Sequence, residues 1–230
     1  MLASRRHPLR LEHCEHHSNS EKTRTIDPLL YYIGSARSLF QKICDKQLGF
    51  RKNRSIECQL ALVVERLQRT LTDGGQVDAI SMDLSKAFDK VCRTLLTSKL
   101  QNLGAQDYIV RFLSVSLSCR QQRTIIDSSP SSLKPVTSGV PQGSSLGPLL
   151  FLVFINDLPA HCTSVICLFS DHSVPHRRFH SPEDTLALQT ELARINEWSM
   201  NNRMQFKGLH PTVVTFKLKK KPVMHGYGVS

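Results

Sequence analysis

The stretch PVTSGVPQGSSLGPLLF, residues 135–151, joins a loop rich in glycine, proline and serine directly to an apolar run. Its glycines Gly139 and Gly143 allow the backbone to turn sharply or to approach a ligand closely. The apolar run that follows stops before Pro159, which predicts a buried helix ending ahead of that proline. A loop of this composition is either an ordinary turn or the lining of a binding pocket, and its neighbours in the chain bear on the choice.

Two predicted strands, one on each side of this segment, end in an aspartate. Residues 77–84 read VDAISMDL and bring Asp83 near their end, and residues 165–171 read VICLFSD and end in Asp171. Two carboxylates at strand ends are the oxygen ligands that a Mg²⁺ site for phosphoryl transfer requires. Exposed turns also contain many acids, so these two residues alone leave a metal site and a solvated turn as alternatives.

The remaining apolar periodicity predicts mainly helices. Helical spacing covers residues 55–71, 90–104, 107–117 and 181–200, with Ser55 and Ser181 as N-caps. The apolar positions of the first helix are Leu60, Val63, Val64, Leu67 and Leu71. The second helix stops at Gly104, and the last opens with Ser181 and Asp184 in a capping-box arrangement. Residues 120–127, RQQRTIID, read as a polar strand. Strands and helices alternate irregularly, which predicts an α+β domain with one sheet covered by helices on one side.

Composition and charge narrow the classes of function. The chain has 230 residues, of which 40% are hydrophobic, enough for one compact core. A net charge of +11 favours a polyanionic partner such as nucleic acid, with solubility alone as the alternative. No apolar run reaches the length of a membrane span, and the N-terminus lacks the apolar core of a secretory signal. We therefore expect no membrane partner and an intracellular location, in the cytoplasm or nucleus.

Cysteine and histidine usage gives no support for a structural metal site. The seven cysteines are scattered and include no C-x-x-C pair, which is typical of reduced intracellular thiols. The cluster HCEHH at 13–17 could ligate a metal, but it lies in a polar segment without a second ligand pair. We predict a disordered segment at 1–25, one folded domain at 26–216 and a basic tail at 217–230.

Four stretches occur in an informative order. They are GFRKNRS at 49–55, DLSKAFDKV at 83–91, VTSGVPQGSSLGPLLFLVFINDL at 136–158 and LFSDH at 168–172. Together they resemble the reverse transcriptase domain of non-LTR (LINE-type) retrotransposons, from about Asp45 to Phe216. The resemblance implies a right-hand polymerase palm, an antiparallel sheet backed by helices, with partial fingers and without a thumb. It implies an RNA-directed DNA polymerase that adds dNTPs to the 3′-hydroxyl of a DNA primer on an RNA template.

The resemblance assigns roles to three residues of the catalytic motifs. Asp83 and Asp171 are the catalytic aspartates, which bind two Mg²⁺ (or Mn²⁺) ions. Phe88 matches the aromatic steric gate, whose ring leaves no room for a 2′-hydroxyl and so selects deoxynucleotides. Outside this motif Phe88 would be an ordinary core aromatic residue.

The resemblance also assigns residues to nucleotide binding. Gln142 and Gly143 fall in the SGVPQG loop, which lines the nucleotide pocket and the template base. Arg51 and Arg54 fall where the fingers carry basic residues for the triphosphate or template phosphates. For either arginine, a solvated basic loop is the alternative.

The third motif departs from the family pattern. The family has Phe/Tyr-Ala-Asp-Asp, whereas this chain reads Phe169, Ser170, Asp171 and His172. A neutral imidazole suits Zn²⁺ or Cu²⁺ and not Mg²⁺. We therefore expect His172 to impair nucleotide transfer, by about 10²–10⁴-fold.

Two further departures follow. Pro175 falls in the expected return strand, where it removes a ladder donor and is expected to break the strand. In MQFKGLHPTVVTF, Lys207 takes the place of the family's Asn, and His210, now followed by Pro211, takes the place of its lysine. His210 is thus the candidate proton donor to pyrophosphate.

Three functional classes follow from these residues. The chain is an impaired polymerase, a non-catalytic nucleic-acid-binding remnant, or a relic without function. A separate alternative is a transition-metal site formed by Asp171 and three histidines spaced by four, His172, His176 and His180. That spacing faces one way only on a helix, and Pro175 argues against a helix there.

Overall fold

The computed structural model describes residues 38–144, 146–179, 181–208, 211–218 and 225–228. The segment predicted to be disordered at 1–25, the cluster at 13–17, His180 and His210 lie outside the described residues. The domain limits at 26 and 216 stay predictions.

The helices and strands follow one another along the chain after a helical turn at 38–41. The helices are α1 (Ile56–Thr72), α2 (Ala87–Lys90), α3 (Arg93–Asn102), α4 (Asp107–Leu117), α5 (Leu146–Phe154) and α6 (Pro182–Asn201), with a 3₁₀ helix at Leu158–His161. The strands are β1 (Gln76–Asp83), β2 (Gln121–Gln122), β3 (Ile125–Ile126), β4 (Ser129–Pro130), β5 (Lys134–Pro135), β6 (Val165–Phe169), β7 (His172–Phe179) and β8 (Thr212–Lys217).

The central sheet has four strands in the order β6-β7-β1-β8, and every neighbouring pair is antiparallel. Ile80 and Met82 on β1 are buried in the core together with α5 side chains such as Phe151 and Phe154. This mixture of an antiparallel sheet and packed helices confirms the predicted α+β class.

Several predicted elements are confirmed with their end signals. In α1, the Ser55 hydroxyl accepts a hydrogen bond from the Cys58 amide, as expected of an N-cap. In α6, Ser181 forms the predicted capping box with Asp184. Gly104 has φ of 71°, which suits the glycine that ends α3.

The apolar face assigned to α1 is only partly buried. Leu60 and Val64, predicted to face the core, are exposed, whereas Thr70 near the end of the helix is buried. The reason is that α1 packs on β1 and β8, beside the C-terminal turns that contain Thr70. Periodicity indicated the helix correctly and overestimated how much of it is covered.

The predicted strand at 120–127 is divided into two short strands. Residues of β2 pair with β5, and residues of β3 pair with β4 across a two-residue turn. Asp127 and Ser128 have φ of 46° and 65°, which matches the left-handed turn that joins tight hairpins. Between the pairs, the Ser131 amide donates to the Thr124 carbonyl, and the Thr124 amide donates to the Ser131 hydroxyl.

The prediction that Pro175 breaks the return strand is wrong. β7 runs without a break from His172 to Phe179, and Pro175 pairs with Ile166 of β6. The effect of the proline is local: β1 and β7 pair at Ala79–His176 and again at Met82–Ser173, with no pair opposite Pro175. One missing donor is tolerated because the strand is held on both sides.

The end of the chain contributes to the buried part of the sheet. In the region predicted as a basic tail, Tyr227 is buried and donates a 2.8 Å hydrogen bond to the Asp78 carboxylate. The Gln189 side chain bonds both the amide and the carbonyl of Gly228.

Among the helices of the described residues, none is long and apolar enough to cross a membrane.

Candidate active site

The antiparallel pairing of β1 with β7 brings together the first motif, DLSKAFDKV at 83–91, and the third motif at 169–172. Asp83 and His172 are direct cross-strand partners at the end of the sheet. Asp171 lies in the turn before β7, where its carbonyl accepts a 3.2 Å hydrogen bond from the Leu84 amide. The two predicted aspartates and the histidine that replaces the third acid therefore share one end of the sheet.

The turn that carries Asp171 is held by a residue that sequence reasoning missed. Gln47 is 2% exposed, and its side-chain oxygen accepts from the amides of Gly49 and Ser170 at 2.9 and 3.0 Å. Ser170 has φ of 56°, a left-handed conformation that needs such support. A β-carbon on Gly49 would lie 2.5 Å from the Ser170 nitrogen, so only glycine fits there. A polar residue beside a glycine is too common a pattern to have indicated this contact.

Lys207 is bound to Asp83 twice. Its Nζ lies 2.5 Å from Asp83 Oδ2, and its amide donates a 2.7 Å hydrogen bond to the Asp83 carbonyl. The hydrogen bond to Asp83, with the negative charges of Asp83 and Asp171, raises the pKa of Lys207. Asp83 Oδ1 is buried without a hydrogen-bond partner among the described residues.

His172 is exposed, and its ring lies along the sheet rather than in the turn. Its Nε2 is 3.0 Å from the hydroxyl of Ser81, two residues before Asp83 on β1. The imidazole therefore lies on the same face as Asp83 and occupies the position predicted for a second carboxylate.

The donor set does not fit a pair of hard divalent cations. Such ions need several carboxylate oxygens, and one oxygen of Asp83 is bound to an ammonium while its neighbour in register is an imidazole. Within the part of the chain that the structure describes, no three His, Cys, Asp or Glu side chains are grouped so as to hold a metal ion.

The alternative transition-metal site is likewise unsupported. His172 and His176 are both on β7, a strand, so their four-residue spacing separates them by about 13 Å. His176 is buried, whereas His172 is exposed. A helix would have brought them together, and the chain does not form one there.

Phe88 packs in a small aromatic cluster with Phe50 and Phe151. Its ring stacks on Phe151 of α5 at 4.5 Å between centroids and meets Phe50 edge-on at 6.3 Å. Phe88 is half-buried and Phe50 is exposed. One side of the Phe88 ring thus belongs to the core and the other lies toward the open face.

The SGVPQG loop is fastened to α2. The Val140 amide donates to the Phe88 carbonyl at 2.9 Å, and the Gln142 side chain donates to the Asp89 carboxylate at 2.8 Å. Gly139 has φ of 84°, and a β-carbon there would lie 2.7 Å from the Asp89 carbonyl oxygen. Gly139 therefore serves close packing on the first motif. Gly143 has φ of 80° and open space around it.

The two predicted fingers arginines share one partner. Arg54 bonds the Asp45 carboxylate at 2.6 Å, and Arg51 approaches the same carboxylate at 3.4 Å. Arg51 also donates to the Cys44 carbonyl at 2.9 Å. Both guanidinium groups therefore bond to the segment before α1. The Arg51 side chain is 13% exposed and the Arg54 side chain 31% exposed.

A cleft of about 910 Å³ opens beside α2 and α3. Its described lining includes three basic side chains, Lys90, Arg93 and Arg203, together with several hydroxyl groups, and no carboxylate. Cations and hydroxyl donors are the groups that contact phosphate in nucleic-acid complexes.

Comparison with known proteins identifies the family. Residues 21–208 match the family model described as reverse transcriptase (RNA-dependent DNA polymerase). The chain is 31% identical over 180 residues to the RNA-directed DNA polymerase from mobile element jockey of Drosophila melanogaster, covering 74% of this chain and 19% of that protein. It is 35% identical over 115 residues to a probable RNA-directed DNA polymerase from transposon BS of the same species, covering 50% of this chain and 13% of that protein. The chain thus spans about a fifth or less of the length of these relatives.

Solved structures share the fold at low sequence identity. A telomerase from Candida tropicalis in complex with a TWJ fragment of telomeric RNA gives a TM-score of 0.60 at 10% identity, covering 84% of this chain and 36% of that one. A telomerase from Candida albicans, also in complex with a TWJ fragment, gives 0.52 at 14% identity, covering 87% and 34%. These matches support the palm-like arrangement of sheet and helices. The chain therefore belongs to the reverse transcriptase (RNA-dependent DNA polymerase) family, as a LINE-type reverse transcriptase domain of a non-LTR retrotransposon.

Proposed function

We propose that this domain descends from an RNA-directed DNA polymerase with Asp83 and Asp171 as its catalytic carboxylates, and that His172 impairs nucleotide transfer in this copy. The observation that carries the proposal is the in-register pairing of Asp83 with His172 at the end of the sheet. In a family that generally uses divalent metal ions, an imidazole there lowers the number of anionic oxygens that face such an ion.

The intended cofactor is a pair of Mg²⁺ or Mn²⁺ ions, which in an intact site would activate the primer 3′-hydroxyl and neutralise the leaving pyrophosphate. The residues present do not fit two such ions. This chain keeps the aspartates Asp83 and Asp171, and it has His172 where a further carboxylate ligand is expected. The expected consequence is a slowing of about 10²–10⁴-fold.

The nucleotide pocket is proposed to lie between the aromatic cluster and the SGVPQG loop. Phe88 is the steric gate against a 2′-hydroxyl, a role supported by its half-buried ring in the aromatic cluster with Phe50 and Phe151. Gln142 and Gly143 line the same pocket, and Gly143 supports this with its open surroundings. Gln142 has to release Asp89 before its amide can reach a nucleotide.

Arg51 and Arg54 are proposed to face the triphosphate or the template phosphates. Their present partner, Asp45, is 85% exposed at its side chain, so a phosphate group can replace it at small cost. His210, outside the described residues, remains the predicted proton donor to pyrophosphate.

The proposed partners are an RNA template, a DNA primer and dNTPs. The basic cleft lined by Lys90, Arg93 and Arg203 and the net charge of +11 support a nucleic-acid partner. The Candida tropicalis telomerase structure contains a fragment of telomeric RNA, and for this chain an RNA partner is part of the proposal.

Primer extension on an RNA template tests the proposal. We expect trace synthesis by the natural chain and at least about tenfold faster synthesis by His172→Asp, which restores an anionic oxygen ligand. The matched control is His172→Asn, which removes the imidazole without adding a charge and should leave the rate low. Robust synthesis by the natural chain, unchanged in His172→Asp, would contradict the proposal.

A second candidate function is nucleic-acid binding without catalysis. It is favoured by the Lys207 ammonium group, which is bound to Asp83, and by the described lining of the cleft, which contains no carboxylate. This reading predicts template–primer affinity that falls steeply with added salt, with a reduced slope in Arg203→Gln. Affinity that does not change with salt, or an absence of binding, would leave a non-functional relic as the remaining class.

A further inference from the structure

We infer that Lys207 is a second inhibitory residue, acting independently of His172: its ammonium group neutralises Asp83 as an internal counter-ion and competes with any metal ion for that carboxylate. The inference rests on the proposed role of Asp83. The side chains present at this site do not suit the divalent metal ions that the family generally uses.

The segment before Lys207 is fixed along the first motif by main-chain contacts. The Ser85 amide donates a 2.7 Å hydrogen bond to the Gln205 carbonyl, and Leu84 forms an antiparallel bridge with Phe206. The Lys207 amide adds a 2.7 Å bond to the Asp83 carbonyl. The root of the lysine side chain is therefore held beside the carboxylate by backbone contacts.

This anchoring distinguishes the pair from a chance surface contact. The ammonium nitrogen is 2.5 Å from Asp83 Oδ2, and only one third of the Asp83 side chain is exposed. A tethered cation has a high effective concentration at its partner, whereas a dissolved ion must be drawn from bulk solution. The other oxygen, Oδ1, is buried, so an arriving ion has to displace Lys207 from the accessible side.

Charge counting leads to the same conclusion. Asp83 and Asp171 supply two negative charges at this end of the sheet, and Lys207 cancels one of them. A divalent ion therefore meets one net negative charge where an intact site with three acids and no lysine would present three. We expect removal of the ammonium to strengthen Mn²⁺ binding by about two- to fivefold, the range of a partly exposed ion pair.

Mn²⁺ binding, followed by the EPR signal of the free ion, tests this directly in four proteins. They are the natural chain, His172→Asp, Lys207→Gln and the double variant. We expect both single variants to bind Mn²⁺ more tightly than the natural chain, and the double variant to bind about two- to fivefold more tightly than His172→Asp alone. The matched control is Lys217→Gln, which removes the same charge at the opposite end of β8 and should leave Mn²⁺ affinity unchanged.

Two results would overturn the inference. One is equal Mn²⁺ affinity in His172→Asp and the double variant. The other is an equal gain in Lys217→Gln and Lys207→Gln, which would reduce the effect to net charge. Circular dichroism of every variant, with Lys207→Ala as a second truncation, excludes loss of fold as the cause.

Primer extension with the same proteins separates this inference from the proposed function. Tighter Mn²⁺ binding in Lys207→Gln without any extension, even by the double variant, supports the lysine as counter-ion and contradicts the polymerase proposal. Full extension by His172→Asp alone, with no gain from Lys207→Gln, supports the polymerase proposal and overturns the inference.

Discussion

Asp83 has one carboxylate oxygen bound to Lys207 and one that is buried without a partner among the residues that the structure describes. Its position at the end of β1 was predictable, because an apolar strand that ends in an acid is a local pattern. The bond to Lys207 was not, since these residues are 124 positions apart in the chain. Only the folded sheet brings them together.

The role of Gln47 was likewise not predictable from the sequence, because its partner Ser170 is 123 positions away in the chain. Its side chain fixes the turn with Ser170, and nothing in the residues around it marks it as buried. The SGVPQG loop, in contrast, was predictable from its own residues. Gly139 and Gly143 both have positive φ values, and Gly139 also packs closely on Asp89.

The first prediction at this scale concerns Gly49. Gly49→Ala should lower the free energy of unfolding by about 1–3 kcal/mol, because its β-carbon would lie 2.5 Å from the backbone of Ser170. Urea denaturation measures the change. The control is Gly226→Ala, whose added β-carbon would lie more than 4 Å from every atom of the described residues other than its chain neighbours, and it should change stability little. Equal stability in the two variants would contradict the described contact.

At the scale of the elements, patterns with a local cause were predictable and patterns with a tertiary cause were not. The capping box of α6 and the glycine that ends α3 depend on a few adjacent residues. The exposure of Leu60 on α1 and the continuity of β7 through Pro175 depend on which neighbours cover each element. Intrinsic preferences are weak guides where packing decides.

His176 on β7 gives a prediction about pH. Burial lowers the pKa of His176 below its ordinary value, partly offset by a hydrogen bond with the Val174 carbonyl and helped by the charge of Arg66. Because the unfolded chain binds the proton more readily, stability should be complete above about pH 6.5 and fall as the pH decreases below it. Thermal unfolding of the natural chain and of His176→Leu between pH 7.5 and 5 measures this.

In that comparison, His176→Leu should lose less stability on acidification than the natural chain does. An equal loss in both proteins would assign the acid sensitivity to other groups.

At the scale of the whole molecule, residues late in the chain contact the buried Asp78 on β1. Asp78 is 1% exposed and accepts hydrogen bonds from Thr215 and Tyr227 at 2.8 Å each. Burial and the bond to Asp78 raise the pKa of Tyr227. Composition indicated a basic tail here, and the docking of Tyr227 depends on a buried acid far away in the chain.

Tyr227→Phe should therefore lower the free energy of unfolding by about 1–3 kcal/mol, because Asp78 would lose one of its donors while remaining buried. Urea denaturation at neutral pH measures the effect, and a matched loss in Asp78→Asn would show that the two residues act through one contact. Unchanged stability in Tyr227→Phe would show that the hydrogen bond from Tyr227 to Asp78 contributes nothing to stability.

The family and the palm fold followed from motif order, whereas the condition of the site depends on the pairing of Asp83 with His172. The most direct test is the single-turnover rate of primer extension at saturating RNA template and DNA primer, with Mg²⁺, for the natural chain and His172→Asp. Saturation separates the chemical step from binding. We predict a rate at least about tenfold higher in His172→Asp. A natural chain that extends primers robustly, with no gain from His172→Asp, would contradict the claim that His172 impairs this polymerase.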